Sequence, residues 1–521
     1  MSEQFLVRHK FGGGWATDIG PTIDSAPDGN GLFVIPYLLQ AENCFFELDG
    51  GPHKEYGTAF LNESAISAHA IKGIYDLWLD ADTQHRIVAI NDKVYKDDAD
   101  GSFDQLTTGL VAGAVPNFNA FDDLLIFAND AVADVPKSWD GTTWQNLAGT
   151  PPNFSFSVNH VGHVFAAGDK VNKSKLSWCV PFDPEDWTGS GSGDIFIDPN
   201  DGDEITGIMS YKQRLLVFKG PNKGSIHLIT GTSSDNFAHI PLQTGISCVG
   251  QNSLFRMGDD VVFLWSDGHL YSLAATDKFG DFQQASQLTR NISTWISAHY
   301  NLSRLKHAWA SNWPSRGIAL LAVPIDSESD PNFILMVDYR FGEPRLAPWV
   351  AFDRFTSLTT VVDTISSRRI IMAGGNDGKV YKLGQPGRGI DGDAINYNVR
   401  TPFMNYGDSF TLKTLQSLAL GIAPHNNEDY TFEWSRDNEG AQSVTLTQSG
   451  GDVLGDADEN EFTLDTSTLG GASFVENYID VENAGQGRSW QFRVSDSTLN
   501  ADIEVHSLTC IFEIDGPSLE N

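Results

Sequence analysis

The chain has few basic residues, few cysteines and no long apolar run, and each shortage removes a class of function. Its 34 Lys and Arg stand against 68 Asp and Glu, a net charge of −34, which argues against holding DNA phosphates by counterion release. The four cysteines, Cys44, Cys179, Cys248 and Cys510, are far apart and offer no Cys-x-x-Cys pair to partner a His-x-x-His. Buried free thiols are expected, not a zinc site or a redox pair. No run approaches the roughly 18 apolar residues of a membrane span, and the opening MSEQFLVRHKFGGG lacks an apolar signal core, so synthesis in a cytoplasm without membrane insertion is expected. Catalytic spacings are missing too. No Gly-x-Ser-x-Gly turn or His-Glu-x-x-His helix occurs, GRGIDGD from Gly387 opens no helical pattern, and GGGWATD from Gly12 follows no strand. Serine hydrolase, zincin and nucleotide-binding readings therefore have no support.

What is present is β structure. Glycine numbers 50, aromatics make up 11% of the chain and only 20% is charged, a composition of short strands and turns. The phrase RIIMAGGNDGKVYKL, residues 369–383, reads as two apolar strands joined by a turn in which Gly378 takes a positive φ. It returns as VVFLWSDGHLYSL from Val261 and as RIVAINDKVYK from Arg86, where Lys93 replaces the glycine. With the apolar runs at Leu124, Val164, Leu215 and Ile318, the anchors Ile87, Val261 and Ile370 make seven copies roughly 37 to 57 residues apart, the period of a propeller blade. The fold expected is all-β: a β-propeller of about seven blades, six possible, then a C-terminal antiparallel β-sandwich. A large β-sandwich would also repeat apolar strands.

Residues 1–70 are rich in Gly and Pro and read as an extended segment, whose ENCFFELDGG portion is a first strand placed to close the ring beside the last blade. Residues 71–390 are assigned to the propeller, with an inserted polar loop near 182–204. The glycine-rich GQPGRGIDGD ends the repeat, and 395–521 alternates in period two as sandwich strands do. Deleting residues 318–323 is expected to unfold the ring, and removing residues from 395 onward to leave a folded propeller.

Two acidic segments collect oxygen ligands as calcium loops do: Asp198 to Glu204, and Asp456, Asp458 and Asn460. The second lacks the glycine of an EF-hand loop and has Ser467 where the bidentate glutamate belongs. Solvated turns are the expected state, no metal or cofactor is expected, and a chelator is expected to shift the melting temperature little. Ser138 to Trp144, SWDGTTW, approaches the Asp box of sialidase propellers but lacks the residue between Asp140 and Gly141. Among 68 acids no carboxylate pair stands out for glycosidase chemistry, so no catalytic residue is named and the chain is read as no enzyme. A carbohydrate-binding or glycoside-cleaving propeller is the alternative.

The opening segment carries one likeness. GGGWATDIGP, followed by VIPYLLQAENCFFELDGGPHKEYGT, resembles the start of tail tubular or nozzle-type propeller proteins of short-tailed bacteriophages. Their phrase reads N-x-x-x-x-x-D-G-G-x-x-K-R-x-G; Asn43, Asp49, Gly50, Gly51, Lys54 and Gly57 fit it, and Glu55 departs from the second basic residue. The resemblance implies a structural virion protein made in the host cytoplasm, assembled with itself in a ring, sixfold in nozzles. Such a ring would contact a portal-proximal adaptor and tail fibres and meet DNA only in passage. An acidic lumen wall that lets DNA slide would suit it.

Overall fold

The computed structural model describes residues 4–23, 31–79, 83–97, 101–258, 260–273, 287–363, 367–423, 429–447, 475–481 and 484–514. Seven antiparallel sheets follow one another along the chain. Their first strands are Ile71–Trp78, Pro116–Phe121, Phe156–His160, Glu204–Tyr211, Leu254–Met257, Trp309–Trp313 and Phe355–Val362. Each first strand packs beside that of the next sheet, through the short 3-10 turn Gln251–Ser253 between the fourth and fifth, and the seventh packs back on the first. This is a closed seven-bladed β-propeller.

All seven sequence anchors fall on second strands: Gln84–Ile90, Leu124–Asn129, His163–Ala167, Arg214–Gly220, Asp260–Leu264, Ile318–Val323 and Arg369–Gly375. The reason is burial from both sides. A second strand is sandwiched between neighbouring blades, so Ile318–Val323 is buried at every residue and reads as an unbroken apolar run instead of an alternating one. The repeated phrase also has a polar function. Tyr271 donates its hydroxyl to Asp267 at 2.6 Å, and Tyr381 donates to Asp377 in the same way, so the Asp of each turn is tied to the Tyr of the strand it opens. Gly268 and Gly378 take the positive φ expected, at 84° and 76°, and in the first blade Asn91 takes it at 54°.

The chain divides into two compact units, Phe60–Ile334 with Asp353–Lys382, and Met1–Ala59 with Leu335–Phe352 and Leu383–Asn521. In the first unit, the stretch read as an inserted loop near 182–204 holds Gly193–Phe196, the outer strand of the third blade. The fifth blade has three described strands. The ring-closing strand is Gly57–Phe60, fourth in the seventh sheet, where Leu61 N–H donates to Val380 O at 2.8 Å and Phe60 packs on Tyr381.

The ENCFFELDGG strand, expected to close the ring, does something else. Cys44–Phe46 forms a hairpin with Pro52–Lys54, and that hairpin joins a sandwich sheet through the pairing of His53 with Glu504. In this second unit one sheet runs Leu32–Ile35, Gln4–Phe11, Glu504–Ile514, Lys413–Ala423, Val475–Ile479. The other is built on Phe403–Met404, Trp490–Asp496, Tyr397–Arg400 and Gln40–Glu42, with Asp429–Arg436 and Gln442–Thr447 beside them. Phe33, Phe432, Trp490, Phe492 and Phe512 fill the space between. The N-terminal segment thus supplies strands to the sandwich: Gln4–Phe11 pairs antiparallel with the last strand, Gln4 opposite Glu513. A truncation from 395 onward removes that partner and bares Val7 and Phe11, both buried in the full chain. The helical content is slight; the longest described α-helix is Ser293–His299. None of the described helices is long and apolar enough to cross a membrane. All four cysteines are buried and free.

Candidate functional site

The family phrase lies on one hairpin and its exit, and each of its residues has a backbone task. Asn43 sits at φ 53°, a conformation Asn tolerates better than most residues. Its buried amide donates to Asn396 O at 2.6 Å and accepts from Ala351 N–H at 2.9 Å. Asp49 Oδ1 accepts from Gly51 N–H at 2.9 Å, which with the Glu47 O to Gly50 N–H bond of 2.8 Å sets the turn. Gly50 has φ 96°, and a Cβ there would lie 2.3 Å from Phe11 O, so no other residue fits. Lys54 is fully buried and donates to Asp496 Oδ2 at 2.6 Å and Thr498 O at 3.1 Å. Burial pulls its pKa down, against the attraction of Asp496. Gly57 lets the chain pass Gly389, whose carbonyl oxygen would be 2.5 Å from a Cβ. Glu55, the departure from the phrase, is buried and donates its N–H to Asn43 O at 2.9 Å.

The propeller unit has its own concave site. A cavity of about 270 Å³ opens where the first strands of blades two to five begin, lined among others by Asp130, Asp169, Lys170, Lys173, Glu204 and Lys306. Asn252 donates to Pro116 O at 3.1 Å, linking blades five and two across it. Three carboxylates meet three lysines there. Asp130 accepts from Val115 N–H at 2.7 Å and faces Lys306 at 3.0 Å. Glu204 pairs with Lys173 at 2.5 Å, and Asp169 accepts the N–H groups of Val171 and Asn172. Lys170 donates to Asp134 O and Asn153, and burial pulls its pKa down to about 8 although Asp134, Asp130 and Asp169 oppose it. The mouth is locally near neutral in a strongly acidic chain. No spacing could show this, since its residues come from the loops of several blades.

The acidic segment from Asp198 is a turn with Asp198, Pro199, Asn200 and Gly202 exposed, and it already holds a cation of the chain itself. Buried Lys219 donates to Ile197 O at 2.8 Å, Asp198 O at 2.8 Å and Asp201 Oδ2 at 2.7 Å, and Asp203 accepts the N–H groups of Asn222, Lys223 and Gly224. With the ammonium in place, added calcium is expected to leave the Tm of metal-free protein unchanged; a rise of several degrees, lost in Asp201→Asn, would show that the ion displaces Lys219. Asp456, Asp458, Asn460 and Ser467 lie outside the described residues. Asp140 is fixed by its own turn: Thr143 N–H, then Thr142 hydroxyl and N–H, hold its carboxyl down at about 2.

No family model matches the chain, and no curated protein matches it. Solved structures do. One is the exo-beta-1,3-galactanase of Phanerochaete chrysosporium with galactose, at 10% identity and TM-score 0.28. Another is a variant of that enzyme with beta-1,3-galactotriose, at 9% and 0.28; each match covers 88% of this chain and 100% of the other. The expectation that the chain is no enzyme is corrected on this finding, since the matched chains are those of an enzyme. At such identity and TM-score the likeness assigns no residue and no reaction to this chain.

Proposed function

We propose that the chain is a structural subunit of a bacteriophage tail, a nozzle or related component. Several copies would form a ring through which DNA leaves and to which adaptor and fibre proteins attach. The observation that supports this most is the hairpin of Asn43, Asp49, Gly50, Gly51, Lys54 and Gly57. Each of the six residues that fit the phrase has a backbone or burial task in that hairpin or its exit, while Glu55 departs from it. Surplus carboxylate suits a wall along which DNA slides, because each phosphate contact to a basic wall would hold the polymer. Electron microscopy of the purified full chain and of its source particle tests the reading. Rings on the tail axis are expected; a monodisperse monomer absent from any particle sinks it.

A second reading, carbohydrate binding or cleavage, rests on the propeller mouth, where Asp130, Asp169 and Glu204 stand among lysines in a concave polar site. Incubation with a saccharide panel, measuring binding and released sugar, separates the two. Activity that falls in both Asp130→Asn and Glu204→Gln favours this reading.

A further inference from the structure

We propose a divalent transition-metal site, of the Zn²⁺ class, formed by Glu47, His53 and Glu504 in the sandwich unit. The Asp49–Gly51 turn and the pairing of His53 with Glu504 bring these residues together from opposite ends of the chain. One ligand atom from each lies within 4.8 Å of the other two. His53 Nδ1 is 2.9 Å from Glu47 Oε1 and 3.7 Å from Glu504 Oε2. The second separation is too long for a hydrogen bond, yet both carboxylates converge on the one nitrogen. One imidazole and two carboxylates are the mixed N and O ligands that zinc accepts, with a fourth position left for water.

The surroundings of the three ligands are those of a metal centre as well. In the ligating tautomer Nδ1 carries the lone pair and Nε2–H donates to Asp502 Oδ1 at 2.6 Å, the carboxylate–histidine arrangement that orients a metal-bound ring. Asp502 Oδ2 is held by Arg388 at 2.6 Å; the guanidinium nitrogen 2.9 Å from Nε2 is a donor facing a donor in this tautomer and makes no hydrogen bond there. The second oxygen of Glu504 is 3.0 Å from His506 Nε2, and His506 Nδ1 is 2.7 Å from Asp49 Oδ2. Two of the three ligands, His53 and Glu504, are thus braced by a partner behind them. Four carboxylates, Glu47, Asp49, Asp502 and Glu504, gather in this network around His53, a setting that attracts a cation. His53 is nearly inaccessible while the Glu47 side chain is 33% exposed, so an ion would enter past Glu47. Calcium is disfavoured by the imidazole and by the small number of oxygens.

The test uses the full chain, stripped of metal, titrated calorimetrically with ZnCl₂, with thermal melts in Zn²⁺, Mn²⁺ and Ca²⁺ beside it. One Zn²⁺ site per chain and a raised Tm are expected, with no response to Ca²⁺. Glu504→Gln and Glu47→Gln keep side-chain volume and are expected to weaken that site by at least ~10-fold. Glu513→Gln, on the same sheet, is expected to leave it intact. If Glu504→Gln does not fold, the rim variant Glu47→Gln decides alone. A wild-type chain without a one-to-one zinc site, or Glu47→Gln titrating like wild type, overturns the proposal.

Discussion

Replacing Lys54 with Met is expected to destabilise the sandwich unit by about 3–5 kcal/mol, because it leaves the partner charge buried and alone. Lys54 and Asp496 are 0% and 1% exposed and 2.6 Å apart. The remaining contact of Asp496, a 3.0 Å bond from Thr498 N–H to Oδ1, satisfies only one of its oxygens. The cost of the variant therefore comes from stranding a carboxylate, not from losing one attraction in water. A double variant, Lys54→Met with Asp496→Asn, removes the charge along with its partner and is expected to recover a good part of the loss. Calorimetric melts of the four proteins in the cycle measure this. If the single variant costs under ~1 kcal/mol, the pair behaves like a surface ion pair, and Lys54 has no structural reason to be in the phrase.

How much of this is legible in the sequence depends on how far apart the cooperating residues lie in the chain. The propeller is readable because its second strands, such as His163–Ala167 and Ile318–Val323, are buried on both faces and stand out as apolar runs. First strands are harder to see. Ile71–Trp78 and Glu204–Tyr211 mix buried and half-buried residues, and both carry a register shift near their glycines, which breaks the period. The ring-closing strand is inconspicuous because Gly57–Phe60 has four residues, and the longer apolar run at Cys44 just before it is the stronger local signal. The true partner of that hairpin, Glu504–Ile514, is some 450 residues away, and no local pattern announces such a pairing. The same distance hides the cluster around His53, since Glu47 and Glu504 become neighbours only through that sheet. At Asp198 the residue types are plain and their state is not, because the ammonium that organises them, Lys219, is donated by the next blade.

Stability is expected to fall as pH drops from about 6.5 toward 4, with His9 as a principal cause. His9 is 2% exposed, and burial pulls its pKa down to about 4 against the opposing hydrogen bond to Leu508 O. Its ring is held neutral from both sides: Nδ1 donates to Leu508 O at 2.9 Å, and Nε2 accepts from Tyr406 at 3.0 Å. Phe33, Tyr406 and Phe492 pack around it. The folded pKa is below the unfolded value, so the unfolded chain takes up a proton at this residue first. Its contribution is complete above pH 6.5 and is lost as pH falls through that value, until near pH 4 the fold protonates as well. Across that window the loss amounts to about 3 kcal/mol, because each pH unit separating the folded and unfolded pKa values is worth about 1.36 kcal/mol. Many carboxylates also titrate toward the lower end, so the informative quantity is a difference between proteins. His9→Asn keeps a donor and an acceptor but cannot charge, and is expected to lower Tm at neutral pH through lost packing while flattening its fall between pH 6.5 and 4.5. Parallel pH profiles for the variant and the wild type would mean that the ring protonates in the fold as readily as outside it, and that Tyr406 and Leu508 do not hold it neutral.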